Sequence, residues 1–266
     1  MSETYEILAV KYAERLNRIR AESFIMADDH LSPHPMDFFV WVVRNGQRTI
    51  VVDTGFDQPE ADKRGRTILR APAAALAEIG IDAAEINDVV ITHLHYDHAG
   101  TLAAFPKARF HLQAAEMAFA TGPCMCQPHM RFAFTAEHVC DMVRNVYSGR
   151  VVFYEGDAEV APGLTVHKIG GHSRGLQALR VMTAIGPVVL ASDAAHYYET
   201  FELGKPFVIV ADMEDMLRGY GTLKRLADGD AKRVIPGHDP LVLKRYPPLT
   251  AASAGVVHRL DVARAE

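Results

Sequence analysis

The chain has 266 residues, 49% of them apolar and 23% charged, a globular balance that excludes disorder and collagen-like repeats. Its formal net charge of −5 argues against an electrostatic nucleic-acid binder, which needs a basic face. No apolar run is long enough for a membrane-spanning helix.

The segment from Met1 to Glu6 carries acids and lacks an apolar core, so no secretory signal is expected. Three cysteines do not make a disulfide framework, and a cytoplasmic location follows as the expectation. The chain reads as one domain over 1–266, with 1–36 as an N-terminal extension and loop. Within it, Lys11 to Arg20 mixes bases with apolar residues, and reads either as a face for a homodimer partner or as a solvated surface. Asp37 to Val43 is a solid apolar run, expected to be a buried strand. Asn45-Gly46 predicts a two-residue hairpin turn, and Thr49 to Asp53 the returning strand. A helix is expected over Ala71 to Ile79, stopped by Gly80. Asp88 to Thr92 and Arg109 to Leu112 read as strands, with a helix from Ala114. Further strands are expected at Val151 to Tyr154, Leu164 to Ile169, Ala178 to Met182, Val188 to Ala191 and Arg233 to Ile235. Met213 to Leu226 looks helical, although Gly219 and Gly221 weaken it. This mixture suits two sheets packed face to face with helices outside, an α/β architecture.

The 13 histidines stand against a single tryptophan, and histidine is the commonest metal ligand, so their placement decides the reading. Thr92-His93-Leu94-His95-Tyr96-Asp97-His98-Ala99-Gly100 puts three imidazoles and a carboxylate directly after a buried strand. A tight loop at a strand end can turn all four side chains towards one region. Imidazole mixed with carboxylate and no thiolate suits zinc, iron or manganese. Other candidate ligands also follow strands: His172 after Gly170-Gly171, Asp193 after Ser192, and His238 after Pro236-Gly237.

HLHYDHAG, followed by GGH, SD and PGHD in that order, resembles the metallo-β-lactamase superfamily, and VVDTG at 51–55 matches its early strand-loop signature. The resemblance implies an αββα sandwich with the site at one edge of the two sheets. It implies a dinuclear centre. His93, His95 and His172 would hold one metal, Asp97, His98 and His238 the other, and Asp193 would bridge them. The ions are zinc by default, with iron, manganese or cobalt as alternatives. Such a pair generates hydroxide from water at neutral pH for attack on a polarised carbonyl. Asp97 can then pass a proton to the leaving group. Asp53 either orients a ligand histidine or caps its own loop.

The loop wording looks most like the N-acyl-homoserine-lactone lactonase branch, which opens lactone rings. That branch often has a tyrosine three residues after the bridging aspartate; here His196 stands there, followed by Tyr197 and Tyr198. His196 or Tyr197 is expected to supply the hydrogen bond to the substrate carbonyl. The expected partner is an uncharged or weakly acidic small-molecule lactone or ester, with no nucleic acid and no membrane. Alternatives within the fold are a thioester hydrolase of the glyoxalase II kind, an amide or phosphodiester hydrolase, or a non-catalytic metal-binding protein. Met117, Phe119, Met125, Met130, Phe132 and Phe134 form either an apolar lid or plain core. Cys124, Cys126 and His129 have metal-like spacing but lack a fourth ligand, and Cys140 is expected to pack in a helix.

Overall fold

The apolar run after Met36 is a strand, Met36–Arg44, in which every residue but Arg44 is buried. A strand without a polar face needs cover on both sides. The computed structural model describes residues 3–26 and 29–265. Among these, the strands in chain order are β1 (Glu6–Arg15), β2 (Met36–Arg44), β3 (Thr49–Val52), β4 (Thr67–Ile68), β5 (Asp88–Val90), β6 (Arg109–Gln113), β7 (Val151–Tyr154), β8 (Ala158–Ala161), β9 (Leu164–Lys168), β10 (Gln177–Thr183), β11 (Gly186–Ser192), β12 (Val234–Pro236) and β13 (Val257–Arg259). They form two mixed sheets. One runs β13-β1-β2-β3-β5-β6-β7, with β4 also on β1; the other runs β12-β11-β10-β9-β8. One continuous buried apolar cluster draws on both, from Val40 and Val89 to Leu179 and Leu190.

Strand directions bring the expected ligands to one edge. β3, β5 and β6 are parallel, as are β11 and β12, while β9 and β11 both run antiparallel to β10. Asp53 therefore leaves β3, and the His93 loop follows β5, on one side of the first sheet. His172, Asp193 and His238 follow β9, β11 and β12 at one end of the second. The sheets are tied at this edge: Gln177 N donates to Thr92 O at 3.0 Å, and its side chain to Ile91 O at 2.9 Å. Ligand sites in open α/β sheets gather outside the carboxyl ends of strands for this reason.

The helix Met213–Leu226 has the expected bounds, capped by Asp212, whose side chain accepts from Asp215 N. It buries Met216, Gly219, Tyr220 and Leu223, one stripe at helical spacing. Gly219 aids this packing rather than weakening the helix: a Cβ there would meet Ile169 Cγ2 at 2.6 Å. The glycine lets the helix lie against the residue that leads into His172.

Three expectations need correction. The segment 1–36 is not simply an extension and loop, because Glu6–Arg15 is β1, paired with β2 from Glu6↔Arg44 to Arg15↔Met36. Lys11 and Glu14 break the apolar pattern there, but Lys11 is paired with Glu14 at 2.7 Å and Asp37 at 2.8 Å, and the strand bulges between Lys11 and Ala13. The hairpin turn centres one residue later than expected. Asn45 N donates to Arg48 O at 3.0 Å, and the Asn45 side-chain oxygen accepts from the amides of Gln47 and Arg48. Cys140 lies in the helix Ala136–Tyr147 but on its exposed face.

Candidate metal centre

The loop after β5 buries His93, His95, Asp97 and His98 together. His93, His95, His172 and Asp193 form one group of potential ligand atoms within 4.8 Å of one another; Asp97, His98 and His238 form a second. The Asp193 carboxylate lies between them. Its Oδ2 is 3.2 Å from His172 Nε2 and 3.8 Å from His93 Nε2. Its Oδ1 is 2.9 Å from His238 Nε2 and 3.3 Å from His98 Nε2. Gly237 allows this approach, since a Cβ there would meet Asp193 Oδ1 at 2.8 Å.

Backbone and carboxylate partners fix the rings. His172 Nδ1 donates to Ile209 O and His238 Nδ1 to Asp37 O, both at 2.8 Å, and His98 Nδ1 donates to Asp53 Oδ2 at 2.7 Å. Each bond turns the ring's Nε2 into the cluster, which is how outer partners orient metal-binding histidines. Asp53 also accepts from Thr92 N at 2.7 Å and Thr92 Oγ1 at 2.8 Å. Its φ of 62° is a left-handed conformation that aspartate tolerates better than most side chains.

The donor set fits cations. His98 Nε2 and Asp193 Oδ1 are buried without a hydrogen-bond partner. His95 Nδ1 lies 3.0 Å from His93 Nε2 and 2.9 Å from His172 Nε2, so ring nitrogens converge with too few protons to share. Burial, then the neighbouring imidazoles, hold His93 and His95 well below the ordinary histidine range, in the neutral form that ligates. Burial opposes ionisation of Asp193, but His196, His238 and His98 outweigh it and hold the carboxyl well below its usual range.

Comparison with known proteins agrees with this geometry. The family model of the metallo-β-lactamase superfamily matches residues 39–238. The chain belongs to the metallo-β-lactamase superfamily. Every expected ligand, from His93 to His238, falls inside the superfamily match. An N-acyl homoserine lactonase of a Bacillus species is 27% identical over 221 residues, covering 77% of this chain and 82% of that protein. The N-acyl homoserine lactonase AttM of Azorhizobium caulinodans is 27% identical over 230 residues, with the same shares covered. A crystal structure of a quorum-quenching N-acyl homoserine lactone lactonase superposes with a TM-score of 0.75 at 23% identity, over 90% of this chain and 94% of that one. An N-acyl homoserine lactone hydrolase with N-hexanoyl-L-homoserine at its catalytic metal centre gives 0.73 at 22%, over the same shares. The fold is thus the superfamily's, with mixed sheets and helices.

Within this superfamily fold, His196 and Tyr197 diverge. His196 Nε2 lies 2.9 Å from Asp193 Oδ2, its ring stacks on Phe207 with centroids 3.4 Å apart, and it lines the cavity above the cluster. Tyr197 does not line that cavity: its hydroxyl accepts from Arg18 at 2.7 Å and lies 3.3 Å from Pro35 O. The expectation that Tyr197 meets the substrate carbonyl is corrected, because its hydroxyl is already committed on another side. Tyr198 is also buried away, beneath Arg245 at 3.8 Å. The 117–134 segment divides. Phe119 and Phe134 are core, Phe134 edge-on to His95, while Phe132 is exposed and lines the cavity. Cys124, Cys126 and His129 form no ligand group among the described residues.

Glu116 escaped the sequence reading. Its Oε1 accepts from Leu94 N at 2.9 Å, and its Oε2 from Gly175 N at 2.9 Å and from Ser173 Oγ. One buried carboxylate thereby clamps the His93–His98 loop to the His172 loop. The available signal was a lone acid in the apolar stretch Ala114–Ala120.

Proposed function

We propose that this chain is a metal-dependent hydrolase that opens a lactone ring, with two divalent ions, zinc by default. His93, His95 and His172 would hold one ion, Asp97, His98 and His238 the other, and Asp193 both. One observation carries this reading: the two oxygens of Asp193 face different imidazole groups at the base of a single cavity. Two lactonases at 27% identity over most of the chain support the choice of substrate class. When bound, the metal pair supplies a water-derived nucleophile at neutral pH and Lewis acidity for the carbonyl.

The chain's own residues do the rest. Asp97 borders the cavity and can take a proton from the attacking water and hand it to the departing ring oxygen. His196, its ring plane fixed by Phe207, lines the same cavity with Nε2 2.9 Å from Asp193 Oδ2; with Asp193 taken up by the ions, that N–H would be free to donate to the substrate carbonyl. Phe132, Phe207 and Ile209 line the cavity with apolar surface that limits water. We assign the protein to the cytoplasm, a reading supported by three unpaired cysteines. The test is a panel of lactones, thioesters, β-lactams and phosphodiesters on metal-loaded protein. Lactone turnover above the others supports the reading; turnover of a thioester or phosphodiester with no lactone activity overturns it.

A further inference from the structure

We propose that the preferred lactone carries an anionic group, a carboxylate or phosphate, recognised by Arg18 together with Arg15 and Arg66 on the wall of the metal cavity. This rests on the lactonase reading and revises the expectation of an uncharged or weakly acidic substrate.

The cavity has a volume of about 260 Å³, small for a ligand site. Outside the ligand cluster, three guanidinium groups and one carboxylate line it: Arg15, Arg18, Arg66 and Glu22. In a chain with net charge −5, that is a local excess of cations. The single acid is already engaged, since Glu22 Oε1 lies 2.5 Å from Arg15.

Arg18 is 5% exposed, yet among the described residues no side-chain carboxylate lies within ion-pair distance of it. Its NH1 donates to Tyr197 Oη at 2.7 Å and to Ser23 Oγ, and its NH2 to Glu22 O. All three acceptors are neutral. They orient the guanidinium without cancelling its charge, and the rest of its fork is unspent among the described residues. Arg66 likewise donates to Tyr96 Oη at 3.1 Å and Arg64 O at 2.5 Å and meets no acid among the described residues. Burial pulls the Arg18 pKa down, Tyr197 and the Glu22 charge oppose that pull, and the charges of Arg15 and Arg66 add to it, so the three cations lie close enough to repel. Three guanidinium groups against the one Glu22 carboxylate leave a positive excess around the buried Arg18, which an arriving anion would offset. The planar guanidinium fork suits a carboxylate or phosphate oxygen pair. Tyr197 becomes a positioning residue that holds Arg18.

The test compares kcat/KM of metal-loaded, full-length protein on three matched lactones. One bears a free carboxylate, one its methyl ester, and one a phosphate monoester. An anionic lactone should exceed the ester by about tenfold or more, the size of one charge-assisted hydrogen bond. The two anionic arms identify which oxyanion is preferred. Arg18→Gln should bring the preference close to parity; Arg66→Gln, at a half-buried site, should reduce it severalfold even if Arg18→Gln does not fold. A neutral ester turned over as well as both anions overturns the proposal, as does a preference that survives both substitutions. If no lactone is turned over at all, the lactonase reading fails, and calorimetry with glutarate and butyrate decides the arginine wall separately. Glutarate should bind about tenfold tighter than butyrate to the parent and with a severalfold smaller advantage to Arg66→Gln; equal binding to the parent overturns it.

Discussion

His98 Nδ1 donates to the buried Asp53 carboxylate at 2.7 Å, so an acid leaving one strand orients an imidazole in the loop that follows its parallel neighbour. Asp53 is raised by burial, while His98 and the Thr92 bonds oppose that rise and favour the carboxylate. Losing such an outer partner costs about 10–100-fold in metal affinity. Asp53→Ala should weaken binding of the ion that His98 would hold by that factor. Competition with a chelator measures it; unchanged affinity in a folded variant would show that Asp53 only caps its loop.

Glu116→Ala should lower stability and metal affinity together. It strands Leu94 N and Gly175 N, each buried, at roughly 1–3 kcal/mol apiece. Denaturant titration of metal-free protein and metal competition read the two effects separately. A change in stability with no change in metal affinity would mean that the clamp does not position the ligand loops.

His196 and Tyr197 should separate cleanly. His196→Ala should lower kcat/KM on a lactone by about 10²–10³-fold, the size of one transition-state hydrogen bond in a dry site. Tyr197→Phe should change kcat by less than about threefold, because its hydroxyl lies on Arg18 rather than in the cavity. The reverse order would contradict the assigned roles.

Asp97→Asn should lower turnover by about 10²–10⁴-fold while the protein stays folded, through loss of the proton donor. Activity near the parent's in a folded, metal-loaded variant would remove Asp97 from that role.

Below neutrality, His34 should contribute a distinct loss of stability. Burial first, then the charges of Arg18 and Arg20, lower its pKa from 6.5 to about 4. Between these values the unfolded chain takes a proton that the native protein refuses. The stabilisation is therefore full above about pH 6.5 and is lost as the pH falls through about 4. Partial exposure limits it to about 1–2 kcal/mol. Urea midpoints for the parent and His34→Gln, compared between pH 4 and 7, isolate it; parallel curves would contradict the shift.

Much of this was legible because the ligands are local to strand ends. HLHYDHAG is contiguous, β2, β5, β11 and β12 announce themselves as apolar or β-branched runs, and β9 as an alternating one. What stayed hidden depends on distant partners. β1 carries Lys11 and Glu14, and only Asp37 across the sheet explains how charges sit in a central strand. Arg18 and Tyr197 are 179 positions apart, so no local pattern links them. Neighbouring Tyr197 and His196 face different ways, which sequence spacing after Asp193 does not encode.

If paired metals at the Asp193 cluster open lactones, the activity is inseparable from the metal. The most direct test is proton release from a lactone by purified protein, before chelation, after chelation, and after titration with zinc. Activity should vanish on chelation and return in proportion to metal, reaching its maximum at about two ions per chain. Lactone turnover that persists without metal, or a fully metal-loaded protein that turns over no lactone, would contradict it.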